Sequence, residues 1–191
     1  MTHRTQRIKR IFSGFCAAAL LSASFGFEAG AMLTAEDKIA QGLQKFSAID
    51  LEGNEVTQDI FADKDITMVN VWGTFCSPCI GEMPDLAELS DSLPENMQLV
   101  GLIIDVADEN DENFETAKQI VEKSGADFTH IIAGEDMAAF VESIEGVPTT
   151  FFVDKDGKIL GDEILGADVE AYKERIEEYK ETFPEKDSAD E

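Results

Sequence analysis

Two cysteines separated by two residues, Cys76 and Cys79, are the side chains of this sequence best suited to covalent chemistry. They follow an apolar run over residues 66–72 that is typical of a buried strand, and they open a segment with helical spacing. The free N–H groups and the dipole at a helix start stabilise an anion, so we predict that Cys76, the more exposed cysteine, is a thiolate. Cys79 lies one helical turn further on, where its sulfur can reach back and form a disulfide with Cys76. Because a thiolate attacks disulfides and a thiol does not, the pair predicts disulfide exchange without a cofactor.

Two other roles for the cysteine pair are less favoured. A structural zinc ion usually takes four protein ligands, and beyond residue 31 the chain has no other cysteine and a single histidine, His130. A purely structural disulfide would close so short a loop that it would constrain the unfolded chain little. We therefore predict no metal, and we interpret His130 as a partly buried structural residue.

The first 31 residues differ in composition from the rest. Four basic residues lie between positions 4 and 10, residues 11–27 carry no charge, and Ala29-Gly30-Ala31 follows. This order predicts a signal peptide over residues 1–31, with an uncleaved membrane anchor as the alternative. Cys16 lies inside this segment, and we assign it no function.

The composition predicts an acidic, globular protein. Hydrophobic residues make up 43% of the 191 residues, and 40 acidic residues oppose 15 basic ones. Without residues 1–31, which contain four basic residues and one acidic residue, the counts become 39 and 11 and the charge −28. Because nucleic acid needs clustered positive charge, we exclude it as a partner. We expect a monomer of one domain over residues 32–182, followed by an acidic, disordered tail over 183–191.

Strand and helix patterns alternate along the domain. Predicted strands cover residues 44–49, 55–56, 66–72, 99–104, 128–132, 149–153 and 158–165. Predicted helices cover residues 78–93, 113–123, 136–144 and 168–179, with Gly125 ending the second and Asp168 capping the last. The first two strands form a hairpin. This order predicts an α/β fold, with a mixed, mostly parallel central sheet and helices on both faces.

Three segments resemble a known family. The run W-G-T-F-C-S-P-C over residues 72–79, followed by Glu82-Met83-Pro84, resembles the active-site segment of the TlpA/ResA-like extracytoplasmic thioredoxin-like proteins. Residues 146–154 resemble that family's cis-proline loop and the strand after it, and Leu165-Gly166 resembles a glycine near the end of the fold. The resemblance covers most of residues 43–180. It implies a thioredoxin-like fold with an N-terminal hairpin and a helix–strand insertion between Cys79 and Pro148.

The resemblance also implies residue roles. Cys76 would be the attacking thiol and Cys79 the resolving thiol. Pro148 would be cis and lie beside the cysteines, with Val147 offering backbone groups to a partner peptide. Without the resemblance, a trans proline at the start of a strand would be the preferred interpretation of Pro148.

Two aromatic residues complete the predicted substrate-binding group. Phe75 stands where the family has a tryptophan, and we expect it to keep an aromatic surface beside the disulfide. Trp72 is grouped with the substrate-binding residues, although we expect it to pack in the core beneath the site.

Glu82 has two interpretations. It lies three residues past Cys79 on the same predicted helix, so a buried carboxylate there could exchange a proton with Cys79. The family has a functional acid at this place, whereas thioredoxin has its acid on the preceding strand, where this chain has Asn70. The other interpretation is an exposed glutamate in the first turn of the helix.

These features imply an extracytoplasmic thiol–disulfide oxidoreductase. We expect it to act on protein thiols or disulfides, reductively, in cytochrome c maturation or a similar assembly. A membrane or exported redox partner would recycle it. The alternative is a copper(I)-binding metallochaperone of the same fold, with His130 as the available histidine. An interaction protein with an inactive site is a third hypothesis, which the intact cysteine pair disfavours.

Overall fold

A computed structural model of the chain describes residues 43–184. The predicted signal peptide lies outside these residues, as does the predicted tail apart from Phe183 and Pro184. The Phe183 ring packs against Tyr179, 6.1 Å between centroids, at the end of the last helix. No helix within residues 43–184 is long and apolar enough to cross a membrane.

A seven-stranded sheet forms the centre of the domain. Its strands are β1 (Ser47–Asp50), β2 (Glu55–Thr57), β3 (Ile66–Trp72), β4 (Met97–Ile103), β5 (His130–Ile132), β6 (Thr149–Asp154) and β7 (Ile164–Leu165). Their spatial order is β2-β1-β5-β4-β3-β6-β7. Every residue of β3 is buried, because this strand lies at the centre and is covered on both faces, as its continuous apolar run predicts.

The sheet is mixed, as predicted, but it is not mostly parallel. Parallel pairing is confined to β3–β4 and β4–β5, whereas β1–β2, β1–β5, β3–β6 and β6–β7 are antiparallel. The reason lies in the chain between β5 and β6. This connection does not return to the opposite end of the sheet, so β6 starts beside the end of β3, with Thr149 opposite Val71, and runs the other way.

Helices cover both faces of the sheet. They are α1 (Ser77–Asp91), α2 (Glu112–Ser124), α3 (Ala138–Val141) and α4 (Val169–Thr182), with short 3-10 helices at Gln58–Phe61 and Glu135–Met137. The apolar side chains of α1, α2 and α4 share one core cluster, and those of α3 and the 3-10 helices share the cluster on the other face. The predicted helix ends are confirmed: Gly125 is left-handed at the end of α2, with φ 69°, and the Asp168 side chain accepts a hydrogen bond from the N–H of Ala171.

Two predicted elements differ from the structure. The predicted helix over 136–144 is a single 3-10 turn followed by the four residues of α3. The predicted strand over 158–165 is interrupted: Ile159 forms a single antiparallel bridge with Val153, and pairing with β6 resumes only at β7. Gly161 is left-handed, with φ 70°, and the carbonyls on either side of it, at Leu160 and Asp162, accept hydrogen bonds from Tyr179 and Arg175 of α4. These carbonyls are therefore satisfied by a helix instead of a strand.

Candidate active site

The cysteine pair lies at the edge of the sheet where β3, β4 and β5 end and β6 begins. The pairs Trp72–Ile103, Ile103–Ile132 and Val71–Thr149 bring these strand ends together. The chain leaves β3 and enters α1 within four residues, so the first turn of α1 stands at this edge. The loop before β6 reaches the same edge from the other side of β3.

Cys76 and Cys79 are joined by a disulfide, with their Cα atoms 5.3 Å apart. Cys76 is the N-cap residue of α1, and its sulfur accepts a hydrogen bond from the N–H of Cys79 at 3.2 Å. Cys76 is 5% exposed and Cys79 is 0% exposed, which confirms that Cys76 is the more exposed cysteine. When the pair is reduced, the same N–H group and the helix dipole favour a thiolate at Cys76.

A cis-proline loop lies beside the sulfur of Cys76. The Val147–Pro148 peptide bond is cis, so the trans alternative for Pro148 is wrong. The carbonyl oxygen of Val147 lies 3.5 Å from Cys76 Sγ, and Pro148 is buried. The N–H of Gly166 donates to the carbonyl of Pro148 at 2.8 Å, which ties this loop to the end of β7.

Glu82 is buried on the same helix as the cysteines. Its side chain is 4% exposed, so the interpretation of Glu82 as an exposed first-turn residue is wrong. Asn70 Nδ2 donates to Glu82 Oε1 at 3.0 Å, and the Tyr172 hydroxyl lies 3.1 Å from Glu82 Oε2. Burial raises the pKa of Glu82 from its ordinary value of 4.5 to about 7, although these two hydrogen bonds work in the opposite direction. A group with such a pKa can both accept and release a proton near neutral pH.

The raised pKa of Glu82 predicts how folding stability changes with pH. Between 4.5 and about 7 the folded state binds a proton at Glu82 that the unfolded state does not, so the free energy of unfolding falls as the pH rises through this window. We expect the oxidised Glu82→Gln variant to lack this loss. The change in the free energy of unfolding caused by the substitution should therefore be more stabilising at pH 8 than at pH 4, by up to about 3 kcal/mol. Urea denaturation at both pH values measures the difference.

A matched control for this experiment is Glu88→Gln, since Glu88 is an exposed glutamate of the same helix. We expect this variant to follow the wild-type pH dependence. An equal effect of Glu82→Gln at pH 4 and pH 8 would contradict the assignment of the raised pKa to Glu82.

Asp105 fixes the loop that leads into the cysteine pair. The N–H of Thr74 donates to both carboxylate oxygens of Asp105 at 3.0 Å, and the Thr74 hydroxyl donates to Oδ2 at 2.6 Å. A Cβ on Gly73 would lie 2.7 Å from the Phe75 ring, so that exposed ring would have to shift to admit it. In the sequence, Asp105 is the first residue of an acidic run and carries no signal of this role.

Trp72 lies beneath the site as a core residue. It is 0% exposed, so its assignment to the substrate-binding group is wrong, whereas its expected packing role is confirmed. Its indole N–H donates to Nδ1 of His130 at 3.2 Å, and Nε2 of His130 lies 3.1 Å from the carbonyl of Ala126. Burial lowers the pKa of His130 to about 4, so this ring is neutral. A Cβ on Gly101 would overlap the His130 ring, so this position requires a glycine.

The contacts of His130 bear on the copper alternative. Both of its ring nitrogens have protein partners, so neither is available to a metal while these hydrogen bonds exist. Within residues 43–184 no group of three or more histidine, cysteine or acidic side chains could bind a metal ion. No observation favours the metallochaperone over disulfide exchange.

Large apolar side chains are exposed around the disulfide. Phe75 is 67% exposed and Ile80 is 37% exposed, and these residues flank the cysteine pair in the sequence. Leu165 is 59% exposed and pairs with Thr149, the residue after Pro148. Their exposed apolar area is available for contact with a partner segment.

Sequence reasoning missed two residues next to Glu82. Tyr172 falls in the predicted helix over 168–179 and Thr150 in the predicted strand over 149–153, and neither pattern predicts a role at the site. The register of β3 and β6 places Thr150 opposite Asn70, and Asn70 Nδ2 donates to the Thr150 hydroxyl at 3.1 Å. The available signals were the phenol of Tyr172 in an amphipathic helix and the polar side chains of Asn70 and Thr150 in otherwise apolar strands.

The fold and its cysteine site define a thioredoxin-like thiol–disulfide oxidoreductase. A family model described as Redoxin matches residues 35–178. Proteins named thiol-disulfide oxidoreductase ResA are similar to this chain. The one from Bacillus thuringiensis is 34% identical over 151 residues, which are 76% of this chain and 80% of the relative. The one from Bacillus cereus is 32% identical over 166 residues, which are 84% of this chain and 88% of the relative.

Solved structures show the same fold. The thioredoxin domain of the thiol-disulfide oxidoreductase BVU-2223 from Bacteroides vulgatus superposes with a TM-score of 0.55 and 28% identity, covering 68% of this chain and 91% of that chain. The chain belongs to the Redoxin family, among its TlpA/ResA-like thioredoxin-like members.

Proposed function

We propose that this protein works outside the cytoplasm and reduces disulfides of partner proteins through Cys76 and Cys79, with Glu82 as the proton acceptor. The observation that carries the proposal is the position of Glu82. This acid is buried one turn beyond Cys79 on the same helix, and burial raises its pKa to about 7. The resolving thiol must lose a proton before it can attack, and Glu82 is the titratable group on α1 suited to accept it.

The proposed reaction has two exchange steps. The thiolate of Cys76 attacks one sulfur of the partner disulfide, which forms a mixed disulfide and releases the other partner sulfur as a thiolate. The Cys79 thiol gives its proton to Glu82, and the resulting thiolate attacks Cys76 Sγ. This attack breaks the bond between Cys76 and the partner, releases the second partner sulfur as a thiolate and forms the Cys76–Cys79 disulfide. The two partner thiolates take up protons from Glu82 and the solvent, so the partner leaves as a dithiol. Two electrons have then passed from this protein to its partner.

The surface around Cys76 supports a peptide partner. Val147 and Pro148 border the sulfur, and we propose that the backbone of Val147 binds an extended segment of the partner. Phe75 is exposed next to Cys76 and would bury apolar side chains of that segment. No cofactor enters these steps.

The sequence supports the cellular context of the proposal. The basic start, the uncharged stretch and the A-G-A pattern of residues 1–31 are typical of a signal peptide. We propose an exported reductant that serves cytochrome c maturation or a similar assembly and that a membrane or exported redox partner recycles.

The direction of exchange can be tested by measuring the reduction potential of the Cys76–Cys79 pair. A reductant needs a low potential, so we expect a value below about −230 mV, lower than the potentials of glutaredoxins and closer to that of thioredoxin. The protein is equilibrated with glutathione buffers, and its free thiols are counted by mass after alkylation. A parallel Cys16→Ser variant removes the third cysteine from the count. A value near −120 mV, as in strong oxidants, would reverse the proposed direction.

A further inference from the structure

The hydroxyl of Tyr172 has two acceptors and one proton. Tyr172 is fully buried on α4. Its hydroxyl oxygen lies 2.8 Å from the carbonyl oxygen of Gly166 and 3.1 Å from Glu82 Oε2. A phenol donates a single hydrogen bond, so it cannot fully satisfy both oxygens.

The protonation state of Glu82 decides where this proton points. When Glu82 is protonated, its own O–H can donate to the Tyr172 oxygen, and the Tyr172 hydroxyl can donate to Gly166; all three groups are then satisfied. When Glu82 is ionised, it can only accept. A hydrogen bond to a carboxylate is stronger than one to a neutral carbonyl, so the hydroxyl then turns to Glu82 and leaves Gly166.

Gly166 connects this hydroxyl to the loop beside the attacking sulfur. The N–H of Gly166 donates to the Pro148 carbonyl at 2.8 Å. The preceding residue of that loop, Val147, places its carbonyl oxygen 3.5 Å from Cys76 Sγ. A short series of contacts therefore runs from Glu82 through Tyr172 and Gly166 to the Pro148 loop, which we define as residues 146–148.

We propose that Tyr172 is a positioning residue that couples the proton on Glu82 to the Pro148 loop. The loop is hydrogen-bonded through Gly166 to Tyr172 while Glu82 is protonated, and it loses this contact when Glu82 is ionised. The importance of this coupling for exchange rests on the proposed function of Glu82. An ionised Glu82, ready to accept the proton of Cys79, would then coincide with a loop that is free to adjust to a partner peptide.

The surroundings of Glu82 fit a switch through Tyr172. In the part of the chain that the structure describes, Asp85 of α1 and Tyr172 of α4 are the groups whose charge or titration acts on the pKa of Glu82. Cys79 lies one turn earlier on α1, and β3 and β6 contribute the neutral Asn70 and Thr150. Burial raises the pKa of Tyr172 to about 12, so its hydroxyl keeps its proton at neutral pH.

Nuclear magnetic resonance of the isotope-labelled, oxidised full chain tests the coupling. The carboxyl carbon of Glu82 and the amide of Gly166 are followed from pH 5 to pH 9. In the wild type we expect both signals to titrate with the same midpoint. In Tyr172→Phe we expect the Gly166 titration to disappear. The midpoint of Glu82 should also rise by about one pH unit, because its ionised form loses a donor.

Tyr179→Phe is the matched control. Tyr179 lies on the same helix and also donates to a backbone carbonyl, that of Leu160 at 2.8 Å, in a contact that does not involve Glu82. We expect this variant to keep the wild-type titrations of Glu82 and Gly166. A Gly166 titration that persists in Tyr172→Phe, or an unchanged Glu82 midpoint, would overturn the proposal.

A second variant covers the case in which Tyr172→Phe does not fold. Glu82→Gln keeps the Tyr172 hydroxyl but removes the titration, so the pH response of Gly166 should vanish; its persistence would equally overturn the proposal. These measurements do not depend on exchange activity. Unchanged exchange kinetics in Glu82→Gln would contradict the proposed function of Glu82, whereas the titrations alone decide the coupling.

Discussion

Replacing Cys79 by serine should convert this protein into a trap for its partners. Cys76 is the more exposed of the two cysteines and keeps its thiol to attack a partner disulfide, but the mixed disulfide then has no second sulfur that can resolve it. We expect most of the Cys79→Ser protein in its native host to accumulate as covalent adducts, against a few per cent or less of the wild type. Non-reducing gels and mass spectrometry of the adducts measure the fraction and identify the partners.

The design needs two controls. The trap is placed in a Cys16→Ser background, so that every adduct reports on Cys76. The matched control is Cys76→Ser in the same background. There the remaining thiol, Cys79, is 0% exposed, and we expect no adducts. Equal adduct levels in the two variants would contradict the assignment of Cys76 as the attacking thiol. Adducts made only with cytoplasmic proteins would contradict the proposed location.

Removing the proposed proton acceptor, Glu82, should slow the resolution of the mixed disulfide by Cys79. In Glu82→Gln the amide can still hydrogen-bond to Asn70 and Tyr172, but it cannot accept the Cys79 proton. General base catalysis typically contributes 10²–10⁴-fold, so we expect the resolution step to slow by about 100-fold near pH 7. Stopped-flow measurement of mixed-disulfide decay isolates this step. The pH profile of thiol alkylation should also shift, because Cys79, one turn before position 82 on α1, loses its neighbouring acid.

Asp85→Asn is the control for the loss of a negative charge. Asp85 is exposed on α1, and its charge raises the pKa of Glu82. We expect this variant to move the profile slightly towards lower pH and to keep the wild-type rate. If the alkylation profile of Glu82→Gln matched that of the wild type, Glu82 would have no part in the reaction.

Several features could be predicted from the sequence because their causes are local. The run over residues 66–72 is mostly apolar on both faces, which favours a buried central strand, and the structure has β3 at those residues. Asp168 and Gly125 cap helices through contacts within their own turn. The cysteine spacing and its place at a helix start depend on one turn of backbone.

Other features followed from the resemblance and not from local causes. The cis bond before Pro148 is a minority state that no local pattern favours, so only the family motif implied it. The strand predicted over 158–165 pairs with β6 only at its two ends, because its carbonyls at Leu160 and Asp162 have partners on α4, which is distant in sequence.

The sequence by itself determined which residues are candidates for the proposed chemistry: a cysteine pair at a helix start and an acid one turn later. Only the tertiary structure decided the burial of that acid, Glu82, and the pKa of its carboxyl group. Its burial, and hence its pKa of about 7, comes from α4 and from the β3–β6 register, which bring Tyr172, Asn70 and Thr150 together. These residues are separated by up to 102 positions along the chain. Periodicity reports on contacts within one helix or strand, whereas the environment of a buried charge depends on which elements meet.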